Sequence, residues 1–335
     1  MKLGRVTATG PDGPDTRLVG VLPDEGVVVD LAVAERLRLT RTGADPVAAR
    51  RIAAALFPPS MTAAIGGGPA FTDAAGRALA EPPDEAVSKL DAVTWATPID
   101  PLVVRDCSAF ERHLLNAHAR GKKPVPEEFY RAPVYYKMSP ATLIPGGTEV
   151  PWPFGCRFMD YELEVGLVIG RPALNVRPED ARELLFGVTV MNDFSARDLQ
   201  AREMSAGLGP AKGKDFATAI GPWITTIDEL DPDDLEMIAR VNGEEWSRGS
   251  TASMMWSIDE IIAYASTTET LTTGELIGTG TVGSGSGLEL YKKLRPGDVV
   301  ELEVAGIGTI ANPIGHPPED GWRPSPKTPS EGDGG

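Results

Sequence analysis

The sequence predicts an α+β fold that is mostly β: strands mixed with short helices, behind a small N-terminal domain. Two observations predict it. Short β-rich runs open the chain, and β character returns over residues 271–314. Between them lies an alternating apolar segment, Leu163, Val165, Leu167 and Ile169, flanked by helical patterns of only two or three turns.

The elements follow in order. Gly4–Thr9, Thr16–Val21 and Gly26–Leu31 read as a β-meander, with Pro11-Asp12-Gly13 as a turn signal. Alanine-rich helical patterns cover Ala34–Leu39 and Pro46–Leu56; Gly66-Gly67-Gly68-Pro69 breaks the chain, and Phe71–Leu79 fits a further helix. A strand starts at Val93-Thr94-Trp95-Ala96, so a domain boundary is placed near residue 97. The expected units are a small α+β domain over 1–96, a catalytic domain over 97–315 and a disordered tail over 316–335, rich in Pro, Gly and charge. Ser108-Ala109-Phe110-Glu111 matches a capping box, predicting a helix from Ser108 that carries His113 in its early turns. Arg177-Pro178-Glu179-Asp180 and Ser195-Ala196-Arg197-Asp198 read as two more helix starts. Pro296-Gly297-Asp298 is a turn before the alternating run Val299–Val304.

Bulk properties narrow the function class. The chain has 335 residues and a formal charge of −16, which argues against partners that present phosphates, such as nucleic acid or an anionic membrane. Cys107 and Cys156 form no metal-ligand pattern and suggest no oxidising compartment. The N-terminus lacks the apolar run of a signal peptide, and no segment approaches the ~20 apolar residues of a membrane span. The expectation is a cytoplasmic enzyme acting on a small molecule.

Chemistry concentrates on carboxylates. Arg157–Gly170 reads as one β-strand; Glu162 and Glu164 lie two apart in it, so they share a face with Cα atoms about 6–7 Å apart. Two like charges buried on one face raise a pKa or demand a cation. Asp193 ends the apolar run Phe186–Met191 at the rim of a sheet. Three carboxylates without histidine or cysteine make an all-oxygen site that favours Mg²⁺, Ca²⁺ or Mn²⁺ over Zn²⁺. On pattern alone, a solvated strand face fits equally well.

Several blocks together give the chain a resemblance to the fumarylacetoacetase (fumarylacetoacetate hydrolase) family. They are Asp160-Tyr161-Glu162-Leu163-Glu164-Val165-Gly166, Met191-Asn192-Asp193-Phe194-Ser195-Ala196-Arg197-Asp198-Leu199-Gln200, Lys212-Gly213-Lys214-Asp215-Phe216, Gly221-Pro222-Trp223, Gly278–Gly283 and Pro296–Val300. The resemblance spans roughly residues 100–315. It implies the family's mixed β-roll or sandwich with short helices, and a divalent metal on Glu162, Glu164 and Asp193.

The segment Val104–His113 is similar to the hydrolase branch, which implies Asp106 as a fourth ligand and His113 as the base. By the same resemblance Glu289 orients His113, and Lys214 with Gln200 stabilises an oxyanion. Lys212 competes for the lysine's role. Thr218, Thr281 and Tyr136 are the implied substrate contacts, Tyr135 and Lys137 being rivals to Tyr136. Arg197 joins them as a substrate contact and as charge compensation beside Lys214. His118 is expected on a helix surface, and His316 in the tail. Gly278-Thr279-Gly280-Thr281-Val282-Gly283 satisfies the dinucleotide pattern, but Ser284-Gly285-Ser286-Gly287 after it cannot start a stable helix, so it is read as an active-site wall.

The implied activity is Mg²⁺-dependent (or Mn²⁺- or Ca²⁺-dependent) hydrolysis of a C–C bond in a β-diketone or acylpyruvate-type oxo-acid, His113-activated water attacking a metal-chelated carbonyl in a homodimer. An oxaloacetate-type decarboxylase, or an oxo-acid isomerase or dehydratase, would use the same metal site. A non-catalytic, metal-stabilised scaffold would need the ligands but not His113, Glu289 and Lys214. Two departures loosen the substrate assignment: Met204 stands where animal fumarylacetoacetases carry a tyrosine, and Cys107 stands where many relatives carry an aromatic.

Overall fold

The structure, a computed structural model, describes residues 1–10 and 13–327. Its centre is one large mixed sheet. Among the described residues its order is Val87–Lys89, Val27–Asp30, Gly13–Leu22, Lys2–Gly10, Thr218–Thr226, Leu185–Asp193, Leu163–Ile169, Leu276–Gly278, Val104–Cys107 and Tyr135–Met138. Most neighbours are antiparallel, but Leu276–Gly278 runs parallel to Val104–Cys107. A second sheet joins Glu244–Ser250, Glu236–Val241, Val299–Val304 and Gly308–Pro313. The N-terminal meander extends the large sheet, because Lys2 and Leu3 pair with Thr225 and Ile224.

The central strand Leu163–Ile169 is buried on both faces, and its period of two sorts its side chains into two cores. Leu163, Val165, Leu167 and Ile169 pack with the second sheet and the helix Ile258–Ala265. Val168 faces the opposite way, into a core closed by Leu31, Met61 and Phe71 from the N-terminal helices. Glu164 shares the parity of Val168, so its carboxylate leaves the strand on that second face. Covering both faces removes the solvated-face alternative: Glu164 is 0 % exposed and Glu162 is 4 % exposed.

The N-terminal helices form at Leu31–Arg41, Pro46–Leu56 and Pro69–Ala80. Asp30 and Asp45 cap the first two by accepting backbone N–H bonds. Elsewhere the local signals are overruled. The helix expected from Ser108 begins at Glu111, and its cap position is Phe110, in extended conformation without a side-chain cap. Phe110 and Ala109 are buried in the core, and that burial sets where the helix starts. Ser195 likewise caps nothing; the helix Arg197–Ser205 follows it from Ala196. A one-turn helix does begin at Gly287, contrary to the glycine-rich expectation, and carries Glu289.

Residues Pro11 and Asp12 of the expected turn lie outside the described residues, as do 328–335 of the expected tail. His316–Lys327 carry no helix or strand, and the Arg323 guanidinium lies 4.8 Å from the centroid of the Phe154 ring. Among the described residues no helix is long and apolar enough to cross a membrane.

Candidate metal centre and active site

Strand register assembles the centre. Across the large sheet, Glu164 pairs with Met191 two residues before Asp193, Gly166 pairs with Gly278, Gly278 pairs with Asp106, and Asp106 pairs with Tyr136. Five adjacent strands thus bring the carboxylates, Gly278 and the tyrosine to one end of the sheet. Asp106, Glu162, Glu164 and Asp193 each offer an oxygen, and these oxygens all lie within 4.8 Å of one another. Gly278 is the floor between two of them. A Cβ there would stand 2.5 Å from Asp106 Oδ1 and 3.0 Å from Glu164 Oε2, so only glycine leaves the carboxylates room.

The surrounding cations are shared unequally. Lys214 donates to Glu162 and, at 2.5 Å, to Asp193. Arg197 reaches Glu162 Oε1 at 2.8 Å and holds Asp160 at 2.7 Å. Glu162 therefore titrates below the usual carboxylate range despite burial, because Arg197 and Lys214 outweigh the desolvation. Asp106 and Glu164 contact neither cation. Burial first, and neighbouring carboxylates second, push Asp106 up to about 7 and Glu164 well above its ordinary value. Asp106 Oδ1 and Glu164 Oε2 are buried without a hydrogen-bond partner among the described residues. Orphaned acceptors in an all-carboxylate set fit a hard divalent cation, which would satisfy both at once.

The other residues singled out in the sequence gather here too. Tyr136 donates its hydroxyl to Asp193 Oδ2, Thr281 donates to Glu164 at 3.2 Å, and Thr218 donates to Asp193 at 3.4 Å. Thr218 is 1 % exposed, which places it behind the ligand and away from the open cavity. Gln200 accepts from Arg197 Nη1 at 3.3 Å, leaving its amide N–H groups free to donate. Of the rivals, Lys137 pairs with Glu269 on the outer side, and Tyr135 hydrogen-bonds Arg105.

His113 projects from the helix Glu111–Arg120 over the cluster. Its Nδ1 lies 2.8 Å from Glu289 Oε2, and its Nε2 lies 3.9 Å from Glu162 Oε1. Glu289 also accepts from Asn116, the Ser284 backbone and Ser286. Burial raises the Glu289 carboxyl, but the contact with His113 first, and the bonds from Asn116 and Ser284 after it, keep it below the ordinary value, so it is an anion facing the imidazole.

Three contributors escaped the sequence reading. Asn116 stands one turn after His113, and that spacing was its only signal. Asp160 belongs to a quoted block but received no role. It accepts from Arg197, Tyr161 and the backbone N–H groups of Gly287 and Leu288, so it ties Arg197 to the turn that carries Glu289. His118, expected on a helix surface, lines the cavity, with Nδ1 bonded to the Leu114 carbonyl at 2.9 Å.

A cavity of about 520 Å³ opens above the centre. Together, fold and site define an enzyme-like scaffold that presents four carboxylates and a histidine–glutamate pair to this cavity. The chain belongs to the fumarylacetoacetate hydrolase family: the model of the Fumarylacetoacetate (FAA) hydrolase C-terminal domain matches residues 102–315. It is thus an enzyme of a superfamily with hydrolase, isomerase and decarboxylase members. An uncharacterized protein of Pyrococcus abyssi is 38% identical over 201 residues, covering 59% of this chain and 84% of that protein. The oxaloacetate tautomerase of Bacillus subtilis is 39% identical over 159 residues, covering 47% of this chain and 52% of that protein. The solved structure of fumarylacetoacetate hydrolase from Exiguobacterium antarcticum matches in fold with a TM-score of 0.70 at 24% identity, over 94% of this chain and 99% of that one.

Proposed function

We propose that this enzyme hydrolyses a C–C bond in a β-diketone or acylpyruvate-type oxo-acid, using Mg²⁺ or a similar divalent cation. The observation that supports it is the His113–Glu289 pair standing over the carboxylate cluster. Asp106, Glu162, Glu164 and Asp193 would hold the cation, which supplies Lewis acidity for a carbonyl and for the negative charge that builds on oxygen.

The chain's own groups account for the proton movements. Glu289 accepts the Nδ1–H of His113, which leaves Nε2 unprotonated and turned toward the cluster. Nε2 takes a proton from water, and that water's oxygen forms the new bond to the carbonyl carbon. Lys214 and the free amide N–H groups of Gln200 face the resulting oxyanion. When the C–C bond breaks, the imidazolium returns the proton to the leaving carbon, so one water is consumed and two acids result. Tyr136 and Thr281 fix the ligand carboxylates while presenting polar groups to the substrate, and Arg197 keeps Glu162 ionised.

The test is turnover of acylpyruvates, fumarylacetoacetate and oxaloacetate with Mg²⁺ or Mn²⁺, beside an EDTA control and Glu164→Ala. His113→Ala is expected to leave the metal-dependent rise in Tm in place and to lower diketone cleavage by about 10²–10⁴. Unchanged cleavage in that variant would remove His113 from the chemistry. A second reading, proton transfer or decarboxylation on an oxaloacetate-like acid, is favoured by the 39% identity to the tautomerase of Bacillus subtilis. Metal-dependent enolisation or CO₂ release surviving in His113→Ala, with no diketone cleaved by the unaltered enzyme, would establish it.

A further inference from the structure

The cavity has two chemically different ends. Near the carboxylates its walls are polar. The rest of the lining is mainly apolar, with Leu114, Ala117, Phe129, Phe158, Met204 and Leu288, and holds His118, Lys123 and Asp198 among them. Several of these are fixed in place. Phe129 has its carbonyl bonded to the Trp256 indole N–H at 2.9 Å, and its ring meets His118 edge-on with centroids 6.1 Å apart. Leu114 is buried, and the Phe158 ring is backed by Lys293 at 4.6 Å. His118 spends its Nδ1–H on the Leu114 carbonyl.

The cations in this space are already committed. Arg197 is held by Asp160 and Glu162, and Lys214 by Glu162 and Asp193. At the outer end the remaining lysine is Lys123, which is exposed and has no ion pair among the described residues. A solvated lysine at the rim adds little to binding, because water and salt screen it. A second carboxylate on the substrate would therefore leave water for an apolar wall without a desolvated partner. An apolar group entering the same space would be favoured roughly in proportion to the area it buries.

We infer that the substrate is a monoacid: a 2,4-dioxo acid or related oxo-acid whose far end is an aryl or medium-length alkyl group, seated between Phe129, Phe158, Leu114 and Met204. This rests on the proposed reading of the site and specifies its substrate class. The cavity volume of about 520 Å³ is well beyond what a four-carbon diacid fills.

The experiment uses the metal-loaded enzyme and two readouts. The first is kcat/KM for a series of 2,4-dioxo acids ending in methyl, butyl, phenyl or carboxylate. The second is thermal-shift binding of uncleavable 2-oxo acids: pyruvate, phenylpyruvate and 2-oxoglutarate. The phenyl and butyl members are expected to exceed the methyl and carboxylate members by about tenfold or more. Phenylpyruvate is expected to bind more tightly than 2-oxoglutarate. Met204→Lys, at a position 56 % exposed and so tolerant in folding, is expected to narrow that preference at least several-fold. Cleavage of the series with the carboxylate member equal or best would overturn this inference and leave the hydrolase reading intact. Preferential phenylpyruvate binding without cleavage of any member would sustain the inference and sink the hydrolase reading. Failure of every 2-oxo acid to bind, with no member of the series cleaved, would overturn both.

Discussion

The imidazole Nδ1 of His113 lies 2.8 Å from the carboxylate of Glu289, a contact between side chains 176 residues apart in the chain. It fixes which ring nitrogen is free to act, and Asn116, Ser284 and Ser286 fix Glu289 in turn. Glu289→Gln keeps the shape but presents an amide that can offer the wrong partner to Nδ1. The variant is expected to lose about 10²-fold or more in kcat, with metal binding unchanged. Steady-state kinetics beside a metal titration checks this, and an unaltered kcat would make Glu289 structural only.

Gly278 tests the centre itself. Alanine there places a methyl 2.5 Å from Asp106 Oδ1 and forces the carboxylates apart. Gly278→Ala is expected to weaken Mg²⁺ or Mn²⁺ binding at least tenfold, read by calorimetric titration. Retention of the unaltered enzyme's affinity would show that the four carboxylates do not act as one ligand set.

The uneven charge pairing predicts a pH signature. Asp106, at about 7, and Glu164, pushed well up, are raised above the ordinary unfolded value of about 4, chiefly by burial. The metal-free fold then holds more protons than the unfolded chain. Their stabilising contribution is complete below about pH 4 and is lost as pH rises through about 7. Glu162 is shifted the other way, and its contribution is lost only as pH falls below its unfolded value, outside the window tested. In EDTA, Tm is expected to fall between pH 5 and pH 8. Saturating Mn²⁺ should flatten the curve, because the bound ion takes the place of the protons. A Tm that stays level in EDTA would contradict the assignment.

Behind Asp106, on the opposite face of its strand, Arg105 is 0 % exposed and bonds Glu275, also 0 % exposed, at 2.5 Å. Arg105→Met strands the Glu275 carboxylate in the core and is expected to cost about 3–5 kcal/mol in urea unfolding. Adding Glu275→Gln should recover a large part of that loss. A single variant as stable as the parent would mean that the pair contributes nothing to holding the Asp106 strand.

Asp160 links the two halves of the site. Asp160→Asn removes the charge that holds Arg197 and weakens its grip on the Gly287 and Leu288 amides. It is expected to lower kcat through displacement of Arg197 and Glu289 while sparing the metal-dependent rise in Tm. Loss of metal binding instead would place Asp160 within the ligand set.

Some of this was legible in the residues alone. Alternation with a period of two identified a strand within Arg157–Gly170, of which Leu163–Ile169 forms the long central strand, and put Glu162 and Glu164 together, because strand geometry is local. The carboxylate composition pointed to a hard cation, because ligand chemistry belongs to the residue type. Other features depended on packing. The Ser-x-x-Glu pattern forms a true capping box at Ser257 and Glu260 but not at Ser108, where burial of Phe110 decides the helix start. The convergence of Asp106 and Asp193 on the glutamates and the split between paired and orphaned carboxylates follow from sheet register across distant strands, and the turn of His118 into the cavity follows from how its helix packs. The sequence by itself determined which groups could do chemistry. Only the tertiary structure decided which of them share a cation, because register and burial are set by the whole core rather than by any one segment.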